Sequence, residues 1–191
     1  MNSLIIFIAE INIFLHETFN EIDVWFDKEE NIRLYKPKNG VWSIEQILEH
    51  IGLTSFYLLK LIEKGTLKAL KNPNKAEIKE ALSKYEYNKA KLENIGQHKS
   101  FAWIRPEHME PLSKKTPNEV RAELKNQLQD CLNYLEKLKN GEGIMIKTTM
   151  TVNDLGKIDV YEYIYFLAQH AARHITQMQK NEAEYLEKVK M

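Results

Sequence analysis

Val160-Tyr161-Glu162-Tyr163-Ile164-Tyr165-Phe166-Leu167-Ala168-Gln169-His170-Ala171-Ala172-Arg173-His174-Ile175-Thr176-Gln177-Met178 is the stretch that decides the fold. Val160, Tyr163, Leu167, His170, His174 and Met178 recur at the i, i+3, i+4, i+7 spacing of one buried helical face. Asp159 precedes this seam as an N-cap with Glu162 at the third helical position, and the helix continues to about Lys188 with polar final turns. His170 and His174 stand four residues apart, one helical turn, so their imidazoles point the same way.

A second helix starts as clearly at Trp42-Ser43-Ile44-Glu45-Gln46-Ile47-Leu48-Glu49-His50. Ser43 is its N-cap, Gln46 the partner in a capping box, and Trp42 with Ile47 forms a hydrophobic staple. Ile44, Ile47, Leu48, Ile51, Leu58 and Ile62 make its apolar stripe, with His50 on the stripe's edge and Gly65 placed as a C-cap.

Further elements read the same way. A first helix runs from about Ser3 to Trp25, apolar on most sides, and is either central or covered by a second subunit. Asn72-Pro73-Asn74 breaks the chain, and Lys75 to Asn94 reads as one extra amphipathic helix ending at Gly96. Residues 97–115, with Trp103, Pro106, His108 and Pro111, read as irregular. Thr116-Pro117-Asn118-Glu119 opens another long helix with a capping box and proline at its first position, running to Asn140-Gly141. Ile144 to Val152 is a short β-like run. The fold class is therefore all-α, a four-helix bundle over a single domain, 1–191, with a short helix inserted between helices two and three. Long connections imply a crossover.

Composition bounds the function. The chain has 27 basic and 27 acidic residues and no net charge, which argues against a nucleic-acid binder needing a basic face. Lysines between Lys60 and Lys99 alternate with glutamates, as on a solvated helix. The single cysteine, Cys131, excludes an internal disulfide and falls on the stripe Val120, Leu124, Leu128, Cys131, Leu135, Leu138, as a buried thiol does. Leu4 to Ala9 has no basic residue before it and is too short to span a bilayer, so neither a signal peptide nor a membrane partner is expected, and the assignment is cytoplasmic.

A buried imidazole is costly unless it is hydrogen-bonded or ligates a metal. Six histidines make an i, i+4 pair common by chance, and on spacing alone His170 and His174 are equally core or surface residues. Their place on the seam brings a metal role level with a plain core role, and His50 on a neighbouring helix is the candidate third ligand. His16 and His98 read as surface residues, while His108 and Arg105 lie in a loop that can reach the open end of the bundle.

These residues resemble a known family. The segment from Trp42 to His50 is similar to the first signature of the DinB/YfiT-like superfamily, and Leu155 through Gln177 to its second. The resemblance implies a four-helix bundle, often a homodimer, binding a divalent cation through His50, His170 and His174. Zinc and nickel suit such a site ahead of manganese or iron. Three imidazoles leave a coordination position open, as catalytic sites do. Characterised relatives imply a metal-dependent enzyme, a thiol S-transferase using a low-molecular-weight thiol or a related hydrolase, acting on a small-molecule substrate. No carboxylate in either motif is placed as a general base, which favours activation by the metal itself. Glu49, Gln46, Gln169 and Gln177 are candidates to orient the ligating rings. Tyr161, Tyr163, Tyr165 and Phe166, with Trp103, read as core more readily than as a substrate wall. The competing class is a non-catalytic dimeric bundle, its metal structural or absent, serving as an interaction or stress-response module.

Overall fold

The computed structural model describes residues 3–38, 40, 42–71, 73–101 and 106–190. Four long helices make the frame: α1 (Ser3–Asp23), α3 (Ile44–Lys71), α6 (Pro117–Lys137) and α7 (Val160–Lys190). Both α1 and α3 pack against α6 and α7, so the four close into a ring in which α1–α3 and α6–α7 are the diagonals. The chain crosses the bundle on both diagonals, once through 24–43, which includes the short α2 (Glu30–Leu34), and once through 138–159. The second crossing carries an antiparallel pair, β1 (Thr148–Met150) with β2 (Gly156–Ile158), in the register Thr148 opposite Ile158. The β-like run is thus a strand whose partner follows it directly.

Helix starts fall where their caps put them. Thr116 Oγ1 accepts from the Glu119 N–H at 3.3 Å while Glu119 Oε2 accepts from the Thr116 N–H at 2.7 Å. Asp159 Oδ1 accepts from the Glu162 N–H at 3.0 Å and Glu162 Oε2 from the Asp159 N–H at 2.8 Å, the same reciprocal pairing in a fully buried setting. All six seam residues of α7 are buried, and so is nearly everything else from Ile158 to Ala171. The central helix is α7.

Three expectations need correction. Gly65 is not a C-cap: α3 continues to Lys71, and Gly65 is a buried mid-helix residue where a Cβ would come 2.9 Å from Val160 Cγ2. Glycine there lets α3 approach the first turn of α7. Gly65→Val is therefore expected to cost about 1–3 kcal/mol by overpacking, read as a fall in thermal midpoint.

The insert between α3 and α6 holds two short helices rather than one, α4 (Lys75–Ser83) and α5 (Lys89–Gly96). Asn74 and Asn88 cap them separately, through Glu77 N–H and Lys91 N–H among others. The break places Tyr85 and Tyr87 together. Tyr87 stacks on Phe7 at 3.7 Å, and the Tyr85 hydroxyl is buried near Asp159. A continuous helix turns residues two apart to different faces and cannot do this.

Third, the apolar run at Leu4 to Ala9 is only the start of a longer segment. Ser3–Asp27 has the length and hydropathy of a membrane span, by composition alone. In the bundle one face of it (Leu4, Phe7, Ile11, Leu15, Phe19, Ile22) is buried, whereas Ile5, Ile6 and Ile13 are exposed.

Cys131 is fully buried, and burial pushes its thiol up to about 12, as a core thiol requires. Tyr161, Tyr163, Tyr165 and Phe166 are likewise core. Trp103 and Arg105 lie outside the described residues.

Candidate metal centre

Helices α3 and α7 pack directly on one another, and their facing turns bring His50 against His170 and His174. All three side chains are buried. Ring centroids are 4.6 Å apart for His170–His174, 4.8 Å for His50–His174 and 5.2 Å for His50–His170. Nε2 of His170 and Nε2 of His174 are 3.2 Å apart, and one ligand atom from each of the three rings lies within 4.8 Å of the others. Two imidazole nitrogens bound at tetrahedral angles about 2.0–2.1 Å from zinc stand about 3.3 Å apart, so the α7 pair already has ligand spacing.

Two of the tautomers follow from hydrogen bonding. His50 Nδ1 lies 2.7 Å from the Met109 carbonyl, which only accepts, so Nδ1 carries the proton and Nε2 keeps its lone pair. His174 Nδ1 faces Gln177 Oε1 at 2.9 Å with the same consequence. Burial and the neighbouring imidazoles and Arg173 hold His170 well below the usual histidine range, while burial, with His50 as the next cause, lowers His174 to about 3. Both are neutral at physiological pH, the state a metal requires of an imidazole. The donor set fits a divalent cation.

Of the four candidates for orienting the rings, Gln177 takes that role. Glu49 instead accepts from the Ser113 N–H at 2.7 Å, and Gln46 caps α3 and reaches Ser113 Oγ. Gln169 packs against Gly96, where a Cβ would collide with its Oε1. The Met109 carbonyl is a backbone group 59 positions from His50 and carries no sequence signal. Replacing the Gln177 acceptor by Leu should weaken metal binding about 10- to 100-fold in a competition titration.

A cavity of about 440 Å³ opens above the three rings, walled by Trp42, whose ring lies 4.6 Å from that of His50. Asn181 Nδ2 donates to the Trp42 carbonyl at 2.9 Å and ties this wall to α7. His98 lines the mouth and is half-buried, a correction to its reading as a plain surface residue. Burial first, then Lys180, Arg173 and Lys99, lower its pKa. His16 is exposed, as expected. His108 sits edge-on against Tyr57 at 4.5 Å and does not line the cavity.

A DinB superfamily family model matches residues 29–178, a span that includes both histidine-bearing helices. The chain belongs to the DinB superfamily. No curated protein and no solved structure matches it. The DinB match begins after α1 and ends at Met178, so it takes in His50, His170 and His174 together with the whole 72–115 insert.

Proposed function

We propose that this DinB protein is a divalent-metal-dependent enzyme whose centre is His50, His170 and His174. The observation that carries this reading is the convergence of three buried imidazoles at the floor of an open cavity. A purely structural site is closed by a fourth protein ligand. Here His50, His170 and His174 are the only His, Cys, Asp or Glu grouped at ligand spacing among the described residues, and the cavity leaves room for a substrate.

When bound there, zinc or nickel supplies Lewis acidity that keeps a substrate thiol ionised at neutral pH. The protein's own residues do the rest. Gln177 and the Met109 carbonyl hold two rings in the ligating tautomer, and Trp42 excludes water from one side. Glu184 is the one carboxylate lining the cavity among the described residues. It already accepts from Tyr35 Oη and the Lys38 N–H, each at 2.8 Å, and is not placed as a free base. That supports thiol transfer ahead of hydrolysis: a new S–C bond forms on an electrophilic carbon as its leaving group departs with the bonding pair. A small thiol is the expected partner, in a reducing compartment such as the cytoplasm.

Screening metal-loaded protein against thiol–electrophile pairs tests this. Turnover abolished by chelation and by His50→Ala supports the reading; turnover that survives both overturns it.

The second reading, a non-catalytic dimer, draws on the exposed Ile5, Ile6 and Ile13 of α1, a face suited to a homodimer in either case. It predicts a dimer in sedimentation and no turnover with any pair.

A further inference from the structure

The cavity above the histidines has a charged rim that the metal reading leaves unused. Lys99 comes from the segment after α5, and Lys180 from α7, nearly two turns beyond His174. Both line the cavity with Arg173. The only carboxylate on that lining among the described residues is Glu184, held by Tyr35 and Lys38. No acidic group of the described residues lies within ion-pair distance of Lys99 or Lys180. Lys180 shares α7 with Glu182 and Glu184, but Glu182 pairs with Lys28 and Glu184 accepts from Tyr35 and the Lys38 N–H, so both lysines keep their charge on the cavity lining.

The placement of Lys99 is built, not incidental. Arg173, itself largely buried, donates through Nη1 to the Gln97 carbonyl and lies 5.2 Å from the Phe101 ring. That fastens the 97–101 segment across α7. Within it, Lys99 has φ +66°, the left-handed region that an L side chain adopts at a cost and glycine adopts freely. A glycine would serve the turn better; a lysine there puts an ammonium on the rim instead.

We infer that this cavity selects substrates carrying an anionic group, a carboxylate or a phosphate, which Lys99 and Lys180 hold while the reacting atom sits over the three histidines. The inference rests on the proposed centre for what lies at the floor of the cavity, but the rim can be tested without it. Charge attraction at a solvent-facing rim is modest per lysine and falls with salt, so two lysines together amount to roughly a tenfold effect.

The first titration uses metal-free protein and inorganic phosphate, followed by tryptophan fluorescence, since Trp42 lines the cavity. Saturable binding is expected, weakened about tenfold in the Lys99→Gly, Lys180→Ala double variant and weakened by added salt. Lys99→Gly alone should also keep or raise thermal stability, because it releases the left-handed strain; a merely structural lysine would show the reverse. Unchanged phosphate affinity in the double variant, or an adventitious ion only, bound equally after both lysines are removed, overturns the inference.

The second titration uses cobalt-loaded protein and compares mercaptoacetate with its neutral amide by visible absorption. About tenfold tighter binding of the acid in wild type, lost in the double variant, is expected. Equal binding of the two overturns the inference. Absence of any cobalt spectrum in the wild-type protein defeats the metal centre itself and leaves the phosphate titration to decide the rim.

Discussion

Zinc is expected to raise the stability of the wild-type protein by about 4 kcal/mol when free metal exceeds its dissociation constant about a thousandfold, and to leave His170→Ala unmoved. The reason lies in where His170 stands. It shares the α7 seam with His174, its Nε2 lies 3.2 Å from that of His174, and its ring faces His50. Removing it leaves two ligands, too few to compete with water for a labile cation. The metal-free fold should survive the change. The apolar residues of α1, α3, α6 and α7 pack around the site in one continuous core, and truncating a buried imidazole costs about 1–3 kcal/mol of it. Denaturant titration with and without zinc checks both parts. Equal zinc stabilisation of variant and wild type would remove His170 from the centre, and an unfolded variant would make the metal structural.

Relative to Asp159→Asn, the metal-free wild-type protein is expected to lose on the order of 2 kcal/mol of stability as pH rises from 5 to 8. Asp159 caps α7 from a fully buried position, where burial raises its pKa to about 6; burial, then the Asp159 charge, raises neighbouring Glu162 to about 7. Their folded pKa values exceed the unfolded ones, so their contribution is fully present below about pH 4. It is lost as pH climbs through 6 to 7. Tyr85, whose hydroxyl is buried beside Asp159 and held protonated by burial, offers no positive charge to offset the pair. An asparagine side chain keeps the cap acceptor without the buried charge. The histidines act in the opposite sense. Folded His170 and His174 are depressed, so their contribution is present above about pH 6.5 and lost as pH falls toward 3. The difference between the Asp159→Asn variant and wild-type protein isolates the carboxylate limb, because the histidines are common to both. A difference independent of pH would show that Asp159 is not buried as a charge.

The parts of this molecule that sequence made legible are those governed by local rules. Capping boxes at Thr116–Glu119 and Asp159–Glu162 are self-contained in four residues, and the buried seams of α3 and α7 follow from helical period alone. That period also placed His170 and His174 on the seam of α7 and His50 at the edge of the stripe of α3; that the two face each other is seen only in the packed helices. What stayed hidden depends on contacts between distant segments. Nothing local distinguishes Gly65 as a contact point for Val160 from Gly65 as a helix terminus. The break after Ser83 answers to Phe7 on α1 and the start of α7, not to any breaker in Tyr85-Glu86-Tyr87. Equally, the Met109 carbonyl behind His50, and His98 and Lys99 at the cavity mouth, reach the site only because the insert folds back over α3 and α7.

Metal content measured by elemental mass spectrometry on tag-free protein, beside His50→Ala and His174→Ala, tests the centre most directly. The geometry of His50, His170 and His174 predicts about one divalent ion per chain in wild type, lost in both variants. No stoichiometric metal in wild type, even after soaking with zinc, nickel or manganese, would contradict it.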